Sequence, residues 1–245
     1  MVDTAPLKAA NAKRWADAKV TRDVTAIARR LVAPGAKARY QAVAGRTGVP
    51  WFVIAVIHMR ECSQDWSRSL AQGDPWERVS THVPKGRGPF KSWEDAAVDA
   101  LVNCSPYLAR GNDWSIGGTL TRLEAYNGLG YFYRNKPSPY LWAGTDQYRS
   151  GKFVADGVYD PNHIDAQPGC AALILAMMAI DTSIAFGASA KPIIEAKAAA
   201  GGAVVAGTVA AGLQQGWGAT GWVVAGCVLT IAAVAAYFIL RRKPS

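Results

Sequence analysis

The sequence predicts a mainly α-helical domain with a small β-hairpin region, followed by a C-terminal transmembrane helix. Three observations carry this. Trp51–Met59 is apolar almost all round, and a helix with no polar face belongs in the middle of a domain. Trp76–Val83 alternates loosely between turn-rich flanks, as a strand or hairpin does. Trp217–Leu240 carries no charge and is long enough to cross a hydrocarbon core of roughly 30 Å.

The chain has 245 residues, enough for one sizeable domain plus appendages, and half of them are apolar. Nine Trp, nine Tyr and six Phe are many for this length, and several fall in Gly/Pro-rich loops, where they suit flat ligands such as sugars. Net charge is +9, and residues 1–40 hold nine Lys/Arg against three Asp, so most of the excess sits at the front. Such a balance favours anionic partners: cell-wall polymer, lipid head groups or nucleic acid. Cys62, Cys104, Cys170 and Cys227 form no CxxC pair and no zinc-spaced cluster, so they read as free buried thiols. The N-terminus is polar and has no apolar core segment of the kind a secretory signal carries.

Taken in order, residues 1–40 read as a basic helical arm. Val20, Val24, Ile27 and Leu31 share one helix face, with Arg22, Arg29 and Arg30 mostly off it, and Pro34-Gly35 ends it. The arm is either docked on the domain with its basic side in water or held against an acidic polymer or membrane. Residues 36–47 give a short helix with Tyr40, Val43 and Ala44 inward and a turn at Gly45–Gly48. Pro50 then suits the first position of the apolar helix. Leu70–Pro75 is a turn, and Pro84–Pro89 bounds the hairpin region. Ser92 caps a helix running to about Asn103, with Glu94 and Asp95 at its positive end.

Leu120–Tyr126 is a further helix, closed by Asn127-Gly128. The loop to Tyr140 holds Tyr131, Phe132 and Tyr133, and an aromatic segment with turns at Gly144, Gly151 and Gly157 follows. Pro168-Gly169 opens a core helix, Cys170–Asp181. The organisation is thus an arm at 1–40, a domain at 41–183, an Ala/Gly-rich linker at 184–216, the span at 217–240 and a basic tail at 241–245. Trp217, Trp222 and Tyr237 suit interfacial belts, and Arg241, Arg242 and Lys243 place the C-terminus inside and the domain outside. A second, weaker span over Ala198–Leu213 would instead put both ends inside.

The chemistry centres on Glu61. A carboxyl at the end of a buried helix is partly desolvated, which raises its pKa and suits it to act as a general acid. The plainer alternative is that Glu61 pairs with Arg60 or caps a surface turn. Other constellations are missing: His58 and Glu61 give HxxE rather than HExxH, Gly86-Arg87-Gly88 has no Lys-Ser/Thr behind it, and no nucleic-acid module is present. His58 reads as a satisfied core residue.

Three motifs follow one another: Gly48-Val49-Pro50 leading through the apolar helix to Glu61-Cys62-Ser63, then Gly86-Arg87-Gly88-Pro89-Phe90, then Ala125-Tyr126-Asn127-Gly128. Over about residues 40–180 this order resembles the lysozyme-like superfamily, in particular the soluble lytic transglycosylases, the goose-type lysozymes and the lysozyme-family proteins of phages and bacteria. Cys62 stands where the usual Ser follows the Glu, and Arg87 and Pro89 stand in place of Leu-Met-Gln.

The resemblance implies a two-lobed domain that cleaves peptidoglycan between N-acetylmuramic acid and N-acetylglucosamine, with Glu61 as the acid. Tyr126 and Asn127 would hold the acid or the acetamido group, and Ser63, Thr81, Tyr126, Asn127, Tyr131 and Tyr140 form the expected substrate-binding set. No cofactor, metal or nucleic acid is expected; the partners are glycan strands and the membrane. A hydrolase needs a second carboxylate or another route for water. Asp74 is the first choice, with Thr81 and His82 on the following strand to place a water, and Asp65 is the second. Without such a group, the muramic 6-hydroxyl attacks and the product is a 1,6-anhydro sugar. Two other readings stand beside this one: a non-catalytic wall-binding or membrane-remodelling protein, and a chitin-directed hydrolase.

Overall fold

A computed structural model describes residues 2–187. Nine α-helices and one two-stranded sheet lie among these residues, so the chain is mainly α with a small β element. The linker beyond 187, the expected span at 217–240, the weaker span at 198–213, the basic tail and Cys227 lie outside the described residues. Among the described residues no single helix is long and apolar enough to cross a membrane.

The core is built round α4 (Trp51–Cys62). Every residue from Phe52 to Met59 is buried, as an all-apolar sequence requires. Helix α3 (Pro34–Thr47) packs against it, turned by 113° through Gly48-Val49-Pro50. Gly48 takes the left-handed conformation at φ 73°, which a side chain rarely adopts, and so ends α3. Pro50 is the N-cap of α4 rather than its first helical residue, and its carbonyl accepts from the Val53 and Ile54 N–H groups. The expected turn at Gly45 is absent, since α3 runs to Thr47.

The front of the chain differs from the expected continuous arm. It forms α1 (Ala5–Asp17), a break at residues 18–24, and α2 (Thr25–Val32). Val20 sits in that break, in a single β-bridge with Thr145, so the apparent face from Val20 to Leu31 is not one helix. Leu7, Val24, Ala28 and Leu31 are buried, which makes α1 and α2 part of the body. Helix α1 lies on α6 (Ile116–Asn127), where the buried Asn11 side chain faces Thr121 and Glu124.

Helix α5 (Trp93–Asn103) starts at Ser92, whose side chain accepts from the Asp95 N–H as the sequence requires. Short helices α7 (Gly130–Tyr133) and α8 (Pro139–Trp142) follow α6, and α9 (Cys170–Met178) closes the core against α2, α4 and α8. Ile184 and Phe186, assigned to the linker by composition, belong to the body: Ile184 is buried and the Phe186 ring meets Trp15 and Phe52 edge-on at 5.1 and 5.4 Å.

The hairpin is not at Trp76–Val83. That segment is irregular, with only a single bridge nearby between Arg68 and Pro75. Its N–H groups at Thr81 and His82 go to the Asp74 carboxylate, and Pro75, Pro84 and Pro89 have none to give. The sheet is β1 (Lys152–Ala155) and β2 (Val158–Asp160), antiparallel, with Phe153 opposite Tyr159. Asp156-Gly157 makes the two-residue turn, with Gly157 at φ 69°.

Candidate active site

Glu61 projects from the last turn of α4. The carbonyls at a helix C-terminus carry partial negative charge, which disfavours a carboxylate there. The side chain keeps a solvent-exposed face. Its carboxyl nonetheless stands among Cys62, Tyr126, Tyr140 and Cys170, and crowding by protein is the largest influence on it, raising its pKa. Contact with water limits how far that rise goes. Two groups act in the opposite sense: the Tyr140 hydroxyl, which donates to Glu61 Oε1 at 2.8 Å, and the nearby Arg60 charge.

Tyr140 comes from α8, is 2 % exposed, and lies under the Arg60 guanidinium at 4.8 Å from the ring centre. Arg60 does not pair with Glu61. It bonds Asp165 at 3.0 Å, and Lys152 Nζ reaches the other oxygen of that carboxylate at 2.8 Å. The two cations hold the Asp165 carboxyl below the usual range, against the opposing effect of its burial.

A cavity of about 450 Å³ opens here, lined by Arg60, Asn127, Tyr131, Tyr140, Lys152 and Phe153 among others. Phe153 is the partly exposed aromatic of this lining, with Tyr131 and Tyr140 buried behind it, and Asn127 and Lys152 bring polar tips able to hydrogen-bond a ligand. Tyr131 is buried, meets Phe153 edge-on at 5.1 Å, and its hydroxyl accepts from the Phe153 N–H at 3.0 Å, so it fixes the hairpin in the wall. Asn127 is exposed at the end of α6. Tyr126, one residue earlier, donates its hydroxyl to the Leu70 carbonyl at 3.1 Å and is spent on holding the loop after α4.

The remaining expected residues lie on that loop and do not line the cavity. Ser63 caps α4 in the left-handed conformation at φ 54° and is exposed. Asp74 accepts from the Thr81 and His82 N–H groups at 2.7 and 2.9 Å and from the His82 ring. Those donors, His82 foremost, lower its pKa to about 2. The Thr81 hydroxyl also faces Asp74, at 3.4 Å. Asp65 is exposed and bonds Ser67 and Arg68. His58 is fully buried, with Tyr40 on Nδ1 and the Asp65 carbonyl on Nε2, both at 3.0 Å; burial lowers its pKa to about 4.

The sequence reading missed Lys152, Phe153 and Asp165, and the plainer alternative of an Arg60–Glu61 pair does not hold, since Arg60 bonds Asp165. Asp156-Gly157 between alternating residues was a hairpin signal that would have grouped Lys152 with Phe153. Nothing local marks Asp165. Cys62, Cys104 and Cys170 are free buried thiols. Among the described residues no group of three or more His, Cys, Asp or Glu is gathered as a metal site. No family model, no curated protein and no solved structure matches the chain.

Proposed function

We propose that the chain is a lysozyme-like, two-lobed glycosidase that cleaves the glycan strand of peptidoglycan. The observation that carries this is the hydrogen bond to Glu61 from Tyr140, which is itself part of the cavity lining while Glu61 is not. Crowding raises the pKa of this carboxyl, the direction a general acid needs, and a fixed donor on Oε1 aims the remaining oxygen. In the proposed reaction Glu61 gives that proton to the glycosidic oxygen between N-acetylmuramic acid and N-acetylglucosamine. The C1–O bond breaks, the leaving sugar departs as an alcohol, and positive charge develops on the muramic ring.

Two endings are open to that intermediate. In the hydrolase, water adds at C1 and its proton returns to the Glu61 carboxylate. In the transglycosylase, the muramic 6-hydroxyl adds instead, Glu61 takes its proton, and a 1,6-anhydro sugar forms. The occupied oxygens of Asp74 favour the second ending. A carboxylate already accepting from Thr81 and His82, with its pKa near 2, is a weak base for water.

The proposal places the domain on the wall side of a membrane, anchored by Trp217–Leu240 with the basic tail inside; the uncharged run and its flanking cations support this. Digestion of purified peptidoglycan and of chitin by the full-length chain, with fragments weighed by mass spectrometry, tests the reading. Muropeptides from peptidoglycan support it, and those lighter by one water mark the anhydro ending. Cleavage of chitin alone, or of neither polymer, refutes it.

A further inference from the structure

The wall of the cavity beside Glu61 holds more positive charge than its own buried carboxylate absorbs. Arg60 and Lys152 share Asp165. Arg22 adds a third cation behind them, donating to the carbonyls of Asp165 and Ala166 at 3.1 and 2.7 Å. The other acid of the lining, Asp156, is exposed at the hairpin turn. Of the charged trio, Lys152 is the one that reaches solvent: its side chain is 30 % exposed, against 6 % for Arg60 and 1 % for Asp165. An ammonium has three donors, and Asp165 takes one of them.

Tyr140 sets the distance between this wall and the acid. Its hydroxyl touches Glu61 and its ring carries the Arg60 guanidinium, so one tyrosine ring separates the two. On the proposed reading, a strand with its scissile oxygen on Glu61 runs into the cavity that Tyr140 and Lys152 line, where a substituent of an adjoining sugar would meet Lys152. In peptidoglycan, alternate sugars bear a peptide arm with free carboxylates. Chitin bears none and is uncharged.

We infer that Lys152 binds a carboxylate of the substrate's peptide arm and makes the site selective for peptide-bearing strands. This rests on the glycan-cleaving reading above. Arg60 and Asp165 are the supports: Asp165 holds the ammonium at the wall, and Arg60 shares the Asp165 carboxylate so that Lys152 is not its only counter-charge.

The test compares the full-length wild type with Lys152→Gln and Lys152→Arg on two matched substrates, intact peptidoglycan and the same strands stripped of peptides by an amidase. Circular dichroism checks that both variants fold. The wild type is expected to prefer the peptide-bearing strands. Lys152→Gln is expected to reduce that preference on the order of tenfold, through KM rather than kcat, and Lys152→Arg to keep most of it. An equal fall on both substrates means that Lys152 either only supports Asp165 or meets the lactyl carboxylate that the amidase frees on the sugar, and either case overturns the inference. So does a preference unchanged by Lys152→Gln. Both results leave the glycosidase reading standing. A wild type that cuts neither substrate refutes that reading and the inference with it.

Discussion

Tyr140 donates its hydroxyl to Glu61 Oε1 at 2.8 Å from a ring that is 2 % exposed, joining two residues 79 positions apart. A hydrogen bond to the ionised carboxyl favours ionisation, so Tyr140 restrains a pKa that crowding raises.

Tyr140→Phe removes that restraint and the aim together. The pKa of Glu61 is expected to rise further, moving the alkaline limb of the pH–activity profile upward. The maximal rate is expected to fall by about tenfold or more, because the acid loses its orientation. A profile of initial rates against pH reads both effects. A lower rate with an unmoved limb would reduce Tyr140 to packing.

Glu124 makes stability depend on pH. It is 1 % exposed between α1 and α6, and burial raises its pKa to about 7 from an ordinary value of 4.5. The folded state therefore holds this proton more tightly than the unfolded chain does. The contribution is whole below about pH 4.5, falls as pH rises, and is gone above about 7. Linkage puts the total at roughly 3 kcal/mol. Glu124 Oε1 and Asn11 Oδ1 are both buried without partners, and a protonated carboxyl supplies the missing donor. Glu124→Gln is expected to raise Tm at pH 8 and to flatten the dependence of Tm on pH between 5 and 8. A variant that melts lower at pH 8 would contradict this.

Asp165 is 1 % exposed and held by Arg60 and Lys152. Arg60→Ala leaves it with one cation, and breaking a buried pair this way costs about 3–5 kcal/mol. Urea unfolding measures the loss. Lys152 is more exposed, so Lys152→Gln is expected to cost less than Arg60→Ala, and the reverse order would place the buried charge wrongly.

Ile57 is fully buried in α4. Ile57→Ala is expected to destabilise the protein by about 2–5 kcal/mol, as truncation in a packed core does. Chemical denaturation checks it, and a loss below about 1 kcal/mol would argue against α4 as the centre of the core.

The sequence made α4 and Glu61 legible because an all-apolar run has one place to go, and because a carboxyl at its end is out of character with it. Ser92 was legible for a local reason, as its cap bond spans three residues. Tyr140 and Asp165 were harder. Tyr140 rides on a four-residue helix too short to show a period, and Asp165 lies in a loop. Both reach the α4 end through contacts across more than 75 positions, which no local pattern records. The alternation of Trp76–Val83 misled because a strand also needs a partner, and here Asp74 takes the N–H groups a partner would have used. The front of the chain misled through spacing alone: Val20 falls on the helical face by number but sits outside the helix.

The most direct test of the account is the release of soluble fragments from purified peptidoglycan by full-length wild type and Glu61→Gln, with matched circular dichroism spectra. Gln keeps the shape and the contact with Tyr140 but has no acid proton to give. The account predicts fragments from the wild type and a loss of at least a hundredfold in Glu61→Gln. Equal release by both proteins would show that Glu61 is not the acid, and no release by either would contradict the glycosidase reading itself.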